Sequence, residues 1–166
     1  MVLVGKYEKN YYFGNSGSGK STLAKEYSEQ YSLPHLDLDS LAWKDSSPPV
    51  RRSLEDSFRD INQFVKQHDS WVIEGCYSDL LSFITQHSSQ IIFINPGVDT
   101  CIENCKNRPW EPHKYESKQA QDDNLNMLIK WIKQYDQRED EFSLYAHRKL
   151  FDQFNGNKVE FNSNKR

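Results

Sequence analysis

Nine consecutive residues, Gly14-Asn15-Ser16-Gly17-Ser18-Gly19-Lys20-Ser21-Thr22, limit what this chain can fold into more than any other stretch. They match the pattern G-x-x-x-x-G-K-[ST] in full. An apolar run, Asn10-Tyr11-Tyr12-Phe13, precedes them, and a helical pattern runs from near Gly19 to about Tyr31. That order is strand, glycine-rich loop, helix. Glycines let a backbone curl into a nest of N–H groups that fits phosphate oxygens. The following helix adds partial positive charge at its N-terminus. Lys20 then supplies a cation for β and γ phosphates, and Ser21 offers its hydroxyl to a magnesium ion. All nine residues, Gly14 to Thr22, are expected to bind a nucleotide through its phosphates.

Short apolar runs alternate with helical patterns along the rest of the chain. Residues 34–38 read as a second short strand. Ser46-Ser47-Pro48-Pro49 is a loop. Leu54, Phe58, Ile61 and Val65 recur at helical spacing, with Ser53 as an N-cap. Trp71-Val72-Ile73 is a third strand, and residues 80–86 a short helix. Residues 90–95 form the most apolar strand, stopped by Pro96-Gly97. A helix over 99–106 follows. Pro109 and Pro112 forbid a continuous helix over 107–117. Leu125, Leu128, Ile132 and Tyr135 give another helical stripe, residues 142–154 a further helix, and 158–161 a last strand. This alternation predicts an α/β fold with a parallel sheet of about five strands joined by right-handed crossovers.

Length and composition agree with one domain over residues 1–166. Apolar residues are 36% of the chain, and the 13% of aromatics make one core feasible. No unbroken apolar run exceeds four residues, as in Ile91-Ile92-Phe93-Ile94, so no membrane helix is expected. Met1-Val2-Leu3-Val4-Gly5 is too short and lacks the basic flank of a secretory signal. The net charge of -3 disfavours a nucleic-acid partner, which needs a basic face. Cys76, Cys101 and Cys105 read as reduced thiols of a cytoplasmic protein. Cys101 and Cys105, one turn apart, with His113 would be half a zinc site at best, and semi-apolar packing is the plainer reading.

A loop of this composition on the very first strand, in so short a chain, resembles the small-molecule kinase branch of the P-loop fold, to which shikimate, gluconate and adenylate kinases belong. The resemblance implies a three-layer P-loop NTPase fold with a lid over about 107–118. It also implies ATP and Mg2+ as cofactors and a small-molecule acceptor. Asp37-Leu38-Asp39 follows the second strand, where period-two spacing turns both carboxylates to one side. By resemblance to shikimate-type kinases, Asp37 stands near the magnesium water shell, with Ser21 as the metal's other protein contact. Asp39 then meets the acceptor hydroxyl and orients it or takes its proton.

Glu74-Gly75 ends the third strand. Gly75 would let substrate approach the backbone, and Glu74 would bind a substrate donor or a metal-bound water. Asn95 stands where many such kinases carry Asp, leaving more of the metal's charge to Asp37 and Glu74. A carboxylate in the substrate wall repels an anion, so a neutral or cationic acceptor, or a nucleoside, is expected. Arg51 and Arg52 pull the other way, because they could hold a phosphate or carboxylate on the acceptor.

The stretch from Lys106 to Lys118 carries four Lys or Arg against two Glu, at the place where the P-loop kinases have a mobile lid. Arg108 is the first candidate to stabilise the transferring phosphoryl group, with Lys114 or Lys118 in support. Arg138 and Arg148 are candidates from later helices, and Trp110 could stack on a ring. Residues 108–118, together with Trp71-Val72-Ile73-Glu74-Gly75-Cys76-Tyr77, also resemble a bacterial group loosely labelled shikimate- or adenylate-kinase-like. The expected activity is ATP-dependent transfer of the γ-phosphoryl group to a hydroxyl or phosphate of a small molecule, by a monomer or homodimer. The alternatives are a nucleotide hydrolase or switch acting on a protein or RNA partner, and a nucleotide-binding module without turnover. Asp-x-Asp favours the first, since a switch needs no acceptor base.

Overall fold

Five apolar segments pair side by side in the computed structural model, which describes residues 8–164. The expectation about Met1 to Gly5 lies outside those residues. In chain order the elements are β1 (Lys9–Gly14), α1 (Lys20–Tyr31), β2 (His35–Asp37), α2 (Asp39–Ala42), α3 (Leu54–Gln67) and β3 (Trp71–Gly75). Then come α4 (Ser78–Ile84), β4 (Gln90–Ile94), α5 (Val98–Lys106), α6 (Lys118–Lys133), α7 (Leu144–Gln153) and β5 (Asn157–Phe161). The sheet order is β2-β3-β1-β4-β5, and every pairing is parallel. All five strands therefore end at the same edge.

The alternation of side chains along a strand sorts the core into two faces. Tyr11, Phe13, Trp71, Ile73, Ile91 and Phe93 point to the face covered by α3, α4 and α7, where Ile61, Leu80, Leu81 and Ile84 meet them. Tyr12, Val72, Ile92 and Ile94 point to the other face, against Ala24 and Tyr27 of α1. Both faces of the central strands are thus covered, as a parallel sheet requires. Fully burying one such Ile, Val or Phe contributes roughly 1.5–3 kcal/mol relative to exposure. Cys101, Ile102 and Cys105 of α5 pack on Ile132 of α6 as a satellite cluster.

The predicted three-layer α/β fold is the observed one, with local differences. The second strand, expected over 34–38, is observed at His35–Asp37. Leu38 is fully buried and caps α2, whose first residue is Asp39. The two aspartates are thus related by a turn rather than by strand alternation. Ser53 caps α3 as expected, accepting from the Asp56 N–H, but Leu54 is exposed and the inward stripe begins at Phe58. The helix expected over 142–154 begins at Leu144, because the Ser143 hydroxyl caps it at the Ala146 N–H. The three cysteines are free, and among the described residues no group of three His, Cys, Asp or Glu is arranged to hold a metal. Cys101 and Cys105 are buried core residues. No helix among the described residues is long and apolar enough to cross a membrane.

Candidate active site

The topology decides where a ligand can sit. The chain leaving β1 runs through α1 to β2 on one side, and the chain leaving β3 runs through α4 to β4 on the other. A crevice therefore opens at the strand ends between the neighbours β1 and β3, the place where open α/β sheets bind ligands.

The glycine-rich loop forms one wall. Gly17 has φ +77°, in the left-handed region, and a Cβ there would lie 2.5 Å from the Cys101 carbonyl oxygen and 2.7 Å from Cys105 Sγ. Only glycine allows both the turn and the close seat on α5. The Ser18 N–H donates to the Asn15 carbonyl at 3.1 Å, closing the loop. Helix α1 follows with Gly19 as an N-cap that makes no side-chain cap bond, so its first amides are left for an outside acceptor. Lys20 Nζ donates to the Asn15 carbonyl at 3.1 Å, folded over the loop. Two loop side chains turn away from any phosphate. Asn15 is buried and donates to the Ile132 carbonyl on α6, while the Ser18 hydroxyl is buried without a hydrogen-bond partner.

Two residues absent from the sequence reading hold this loop from outside. Asn104 of α5 donates to the Gly17 carbonyl at 2.8 Å and to Asn164 Oδ1 at 2.9 Å. Asn164, just beyond β5, donates to the Ser18 carbonyl at 2.9 Å. The only local signal was two amides near element ends. Beside this clamp lies a cavity of about 360 Å³, lined by Gly17, Gly19 and Thr22 on the loop side and by Arg108, Pro109 and Phe161 opposite. A larger groove of about 730 Å³ runs between α4 and α7 and includes none of the loop residues.

On the β3 side of the crevice, Glu74 is buried within the strand rather than exposed in a substrate wall. One of its oxygens accepts from the Ser21 hydroxyl, and the other accepts from His35 Nε2 at 2.6 Å. That bond raises the pKa of His35, outweighing burial, which opposes it. Gly75 also differs from expectation. A Cβ there would come within 2.8 Å of Leu38 Cδ1, so the missing side chain makes room for Leu38 and not for substrate.

Asp39 is the centre of a chain of hydrogen bonds. The Tyr77 hydroxyl donates to its Oδ1, and Trp43 Nε1 donates to that hydroxyl at 2.8 Å. Lys114 Nζ donates to its Oδ2 at 3.2 Å. Burial works to raise the pKa of Asp39, but Lys114, Tyr77 and Lys20 outweigh it and leave the pKa below the ordinary carboxylate value. Asp37 moves the opposite way. Burial raises its pKa, and the negative charges of Asp39 and Glu74 raise it further. Its Oδ1 accepts the Asp39 N–H at 2.9 Å. Two neighbouring carboxyls with divergent proton affinities are a common mark of divided roles in a site.

The expected substrate arginines are not offered to the crevice. Arg51 Nη2 binds Asp79 at 3.2 Å and Nη1 binds Glu141 at 3.3 Å, with the guanidinium carbon 4.8 Å from the centre of the Tyr77 ring. Arg52 binds Asp60 at 2.7 Å and the Leu41 carbonyl at 2.9 Å. Both pin the loop between α2 and α3.

The segment expected to be a lid is irregular over 107–117, but its cations are already engaged. Arg108 pairs with Glu111 at 3.2 Å and lies at the rim of the 360 Å³ cavity. Lys114 pairs with Asp39 and, at 3.6 Å, with Glu111. Lys118 is the first residue of α6 and pairs with Asp122 in its own helix at 2.6 Å. Arg138 packs 3.6 Å over Trp131 and pairs with Asp140, and Arg148 pairs with Glu160 at 2.6 Å. Trp110 is exposed and donates to the Tyr115 carbonyl. Asn95 turns toward β5, 3.4 Å from Glu160.

No family model and no curated protein sequence matches the chain. Solved structures are similar to it. A gluconokinase from Sinorhizobium meliloti 1021 aligns with a TM-score of 0.51 at 14% identity, covering 93% of this chain and 82% of its own. A shikimate kinase from Bacteroides thetaiotaomicron gives 0.50 at 14%, covering 94% and 86%. An unliganded sugar kinase from Janibacter sp. HTCC2649 gives 0.50 at 11%, covering 93% and 84%. At such identities the likeness concerns the fold alone, a five-stranded parallel sheet between helices.

Proposed function

We propose that this chain is an ATP-dependent phosphotransferase that moves the γ-phosphoryl group to a hydroxyl of a small molecule. One observation carries the reading: the glycine-rich loop with its lysine leaves the end of β1, and Asp39, held by the Tyr77 hydroxyl, stands beyond β2 at the same edge of the sheet. A hydrolase or a passive binding module has no need of that carboxylate.

In this reading the phosphates lie on the loop amides and the start of α1, with Lys20 swinging from the Asn15 carbonyl onto the β and γ oxygens. The base occupies the 360 Å³ cavity beside Arg108 and Phe161. Ser21, Glu74 and Asp37 would hold magnesium, directly or through its waters. The set fits, since Mg2+ takes one or two carboxylates and fills its shell with waters and phosphate oxygens. When bound, the ion offsets phosphate charge. Asp39 accepts a hydrogen bond from the acceptor hydroxyl. Tyr77 and Trp43 fix its rotamer. The acceptor oxygen bonds to the γ phosphorus as the bond to the β,γ-bridging oxygen breaks. ADP departs with that electron pair, and the hydroxyl proton passes to Asp39. A loose transition state asks little base strength of Asp39 and much of its position.

ADP release by the purified chain with ATP and Mg2+, with and without a panel of hydroxyl metabolites, tests the reading. Stimulation by an acceptor supports it. A constant rate points to a hydrolase, and no ADP at all points to a module without turnover.

A further inference from the structure

Resting on that reading, we infer that the acceptor carries no carboxylate or phosphate, and is an uncharged or amine-bearing polyhydroxy compound. The sequence suggested this through Glu74, but Glu74 is turned inward to Ser21 and His35. A different observation carries the inference.

Sites that take carboxylates or phosphates do so chiefly with arginine, whose planar fork matches two oxygens at once. Here every arginine among the described residues already holds a carboxylate of the chain itself. Arg51, nearest the acceptor side, holds two and is also sandwiched against the Trp43, Tyr77 and Phe142 rings. An anion would have to displace Asp79 or Glu141 to reach it. The lysine on the acceptor carboxylate, Lys114, is bound to Asp39 and Glu111, while Lys20 belongs to the phosphates. An anionic acceptor would therefore enter facing Asp39 with no unpaired arginine among the described residues to receive it.

The same groups suit hydroxyls and amines. Ionised Asp39 is an acceptor only, and it takes a donated O–H or N–H. Trp43, 38% exposed and held by its indole N–H on Tyr77, presents a fixed flat wall for the C–H face of a sugar ring. Donors directed at Asp39 and an apolar face directed at Trp43 describe a polyol, a neutral or amino sugar, or a nucleoside.

The experiment uses matched sets that share a hydroxyl skeleton and differ in charge: glucose, glucosamine, gluconate and glucose 6-phosphate; ribose and ribose 5-phosphate; adenosine and AMP. ADP release is measured for each with the full chain, ATP and Mg2+. An uncharged or amine member should raise the rate, with its anionic counterpart about a hundredfold or more behind, as like-charge juxtaposition dictates. An anionic member that matches or exceeds its neutral counterpart overturns the inference while leaving the phosphotransferase reading in place. No response from any set overturns both. A second measurement uses the double variant Asp79→Asn with Glu141→Gln, which frees Arg51. This variant should gain a response to the anionic counterpart, and failure to gain it argues that the arginine pairing does not set the selectivity.

Discussion

His147 makes the protein's stability depend on pH in a way that can be worked from its surroundings. The ring is fully buried in α7, edge-on to Phe13 at 5.7 Å. Its Nε2 lies 2.8 Å from the Cys76 carbonyl, which can only accept, so Nε2 carries the hydrogen. Nδ1 then accepts from the Tyr135 hydroxyl at 2.6 Å. The neutral ring satisfies both partners, and a second proton on Nδ1 would reverse the Tyr135 bond and turn its hydroxyl hydrogen away. Burial is the main force pushing its pKa down, to about 4 from 6.5. Between those values the unfolded chain binds a proton that the folded chain refuses. Stability is therefore full above pH 6.5 and falls as pH drops toward 4. A gap of about 2.5 pH units at about 1.4 kcal/mol each amounts to about 3 kcal/mol, of which about 2 is lost by pH 5. That is a large share of the roughly 5–15 kcal/mol typical of a domain. Because Cys76 lies between Gly75 and Tyr77, the same loss loosens the segment that brings Tyr77 to Asp39. Urea unfolding followed by tryptophan fluorescence at pH 7.5 and pH 5 measures it. His147→Gln keeps one donor and one acceptor but has no proton to gain. Wild type should lose about 2 kcal/mol more than this variant over that interval. Parallel losses in the two proteins would refute the argument.

Lys20→Ala should leave a folded protein with turnover lowered about a hundredfold or more, since it removes transition-state charge and not packing; unchanged ADP production in the purified variant would sink the loop assignment. Asp39→Asn should cut phosphoryl transfer by about a hundredfold or more with little change in nucleotide affinity, because the amide cannot take the hydroxyl proton. Loss of nucleotide binding with acceptor binding intact would reverse the roles of Asp37 and Asp39. Arg108→Ala should reduce turnover far more than ATP binding, and residues 108–118 should gain hydrogen-exchange protection with a non-hydrolysable ATP analogue. Equal protection in both states would make the segment surface structure.

The backbone was largely readable because its instructions are local. Glycines at fixed offsets specify the loop, apolar runs specify the strands, and Pro96-Gly97 and the two lid prolines mark where elements stop. Side-chain partnerships were not readable, because topology creates them. Tyr77 reaches Asp39 across 38 residues, and Arg51 reaches Glu141 across 90. No spacing rule spans such distances. The Asp-x-Asp reading shows the same limit at short range. It assumed that a strand continued through Asp39, whereas burial of Leu38 turned the chain into α2 one residue earlier. Arg51 and Arg52 looked available only because their carboxylate partners sit on other elements.

The asparagine clamp has a consequence for how the glycine-rich loop takes its shape. The Ser18 carbonyl is braced by a side chain 146 positions later in the chain. β1, which leads into the loop, lies at the centre of the described sheet between β3 and β4, both of them later in the chain. The loop therefore owes its geometry to contacts of high sequence separation, and a change beyond β5 can reshape it from the far end of the described chain.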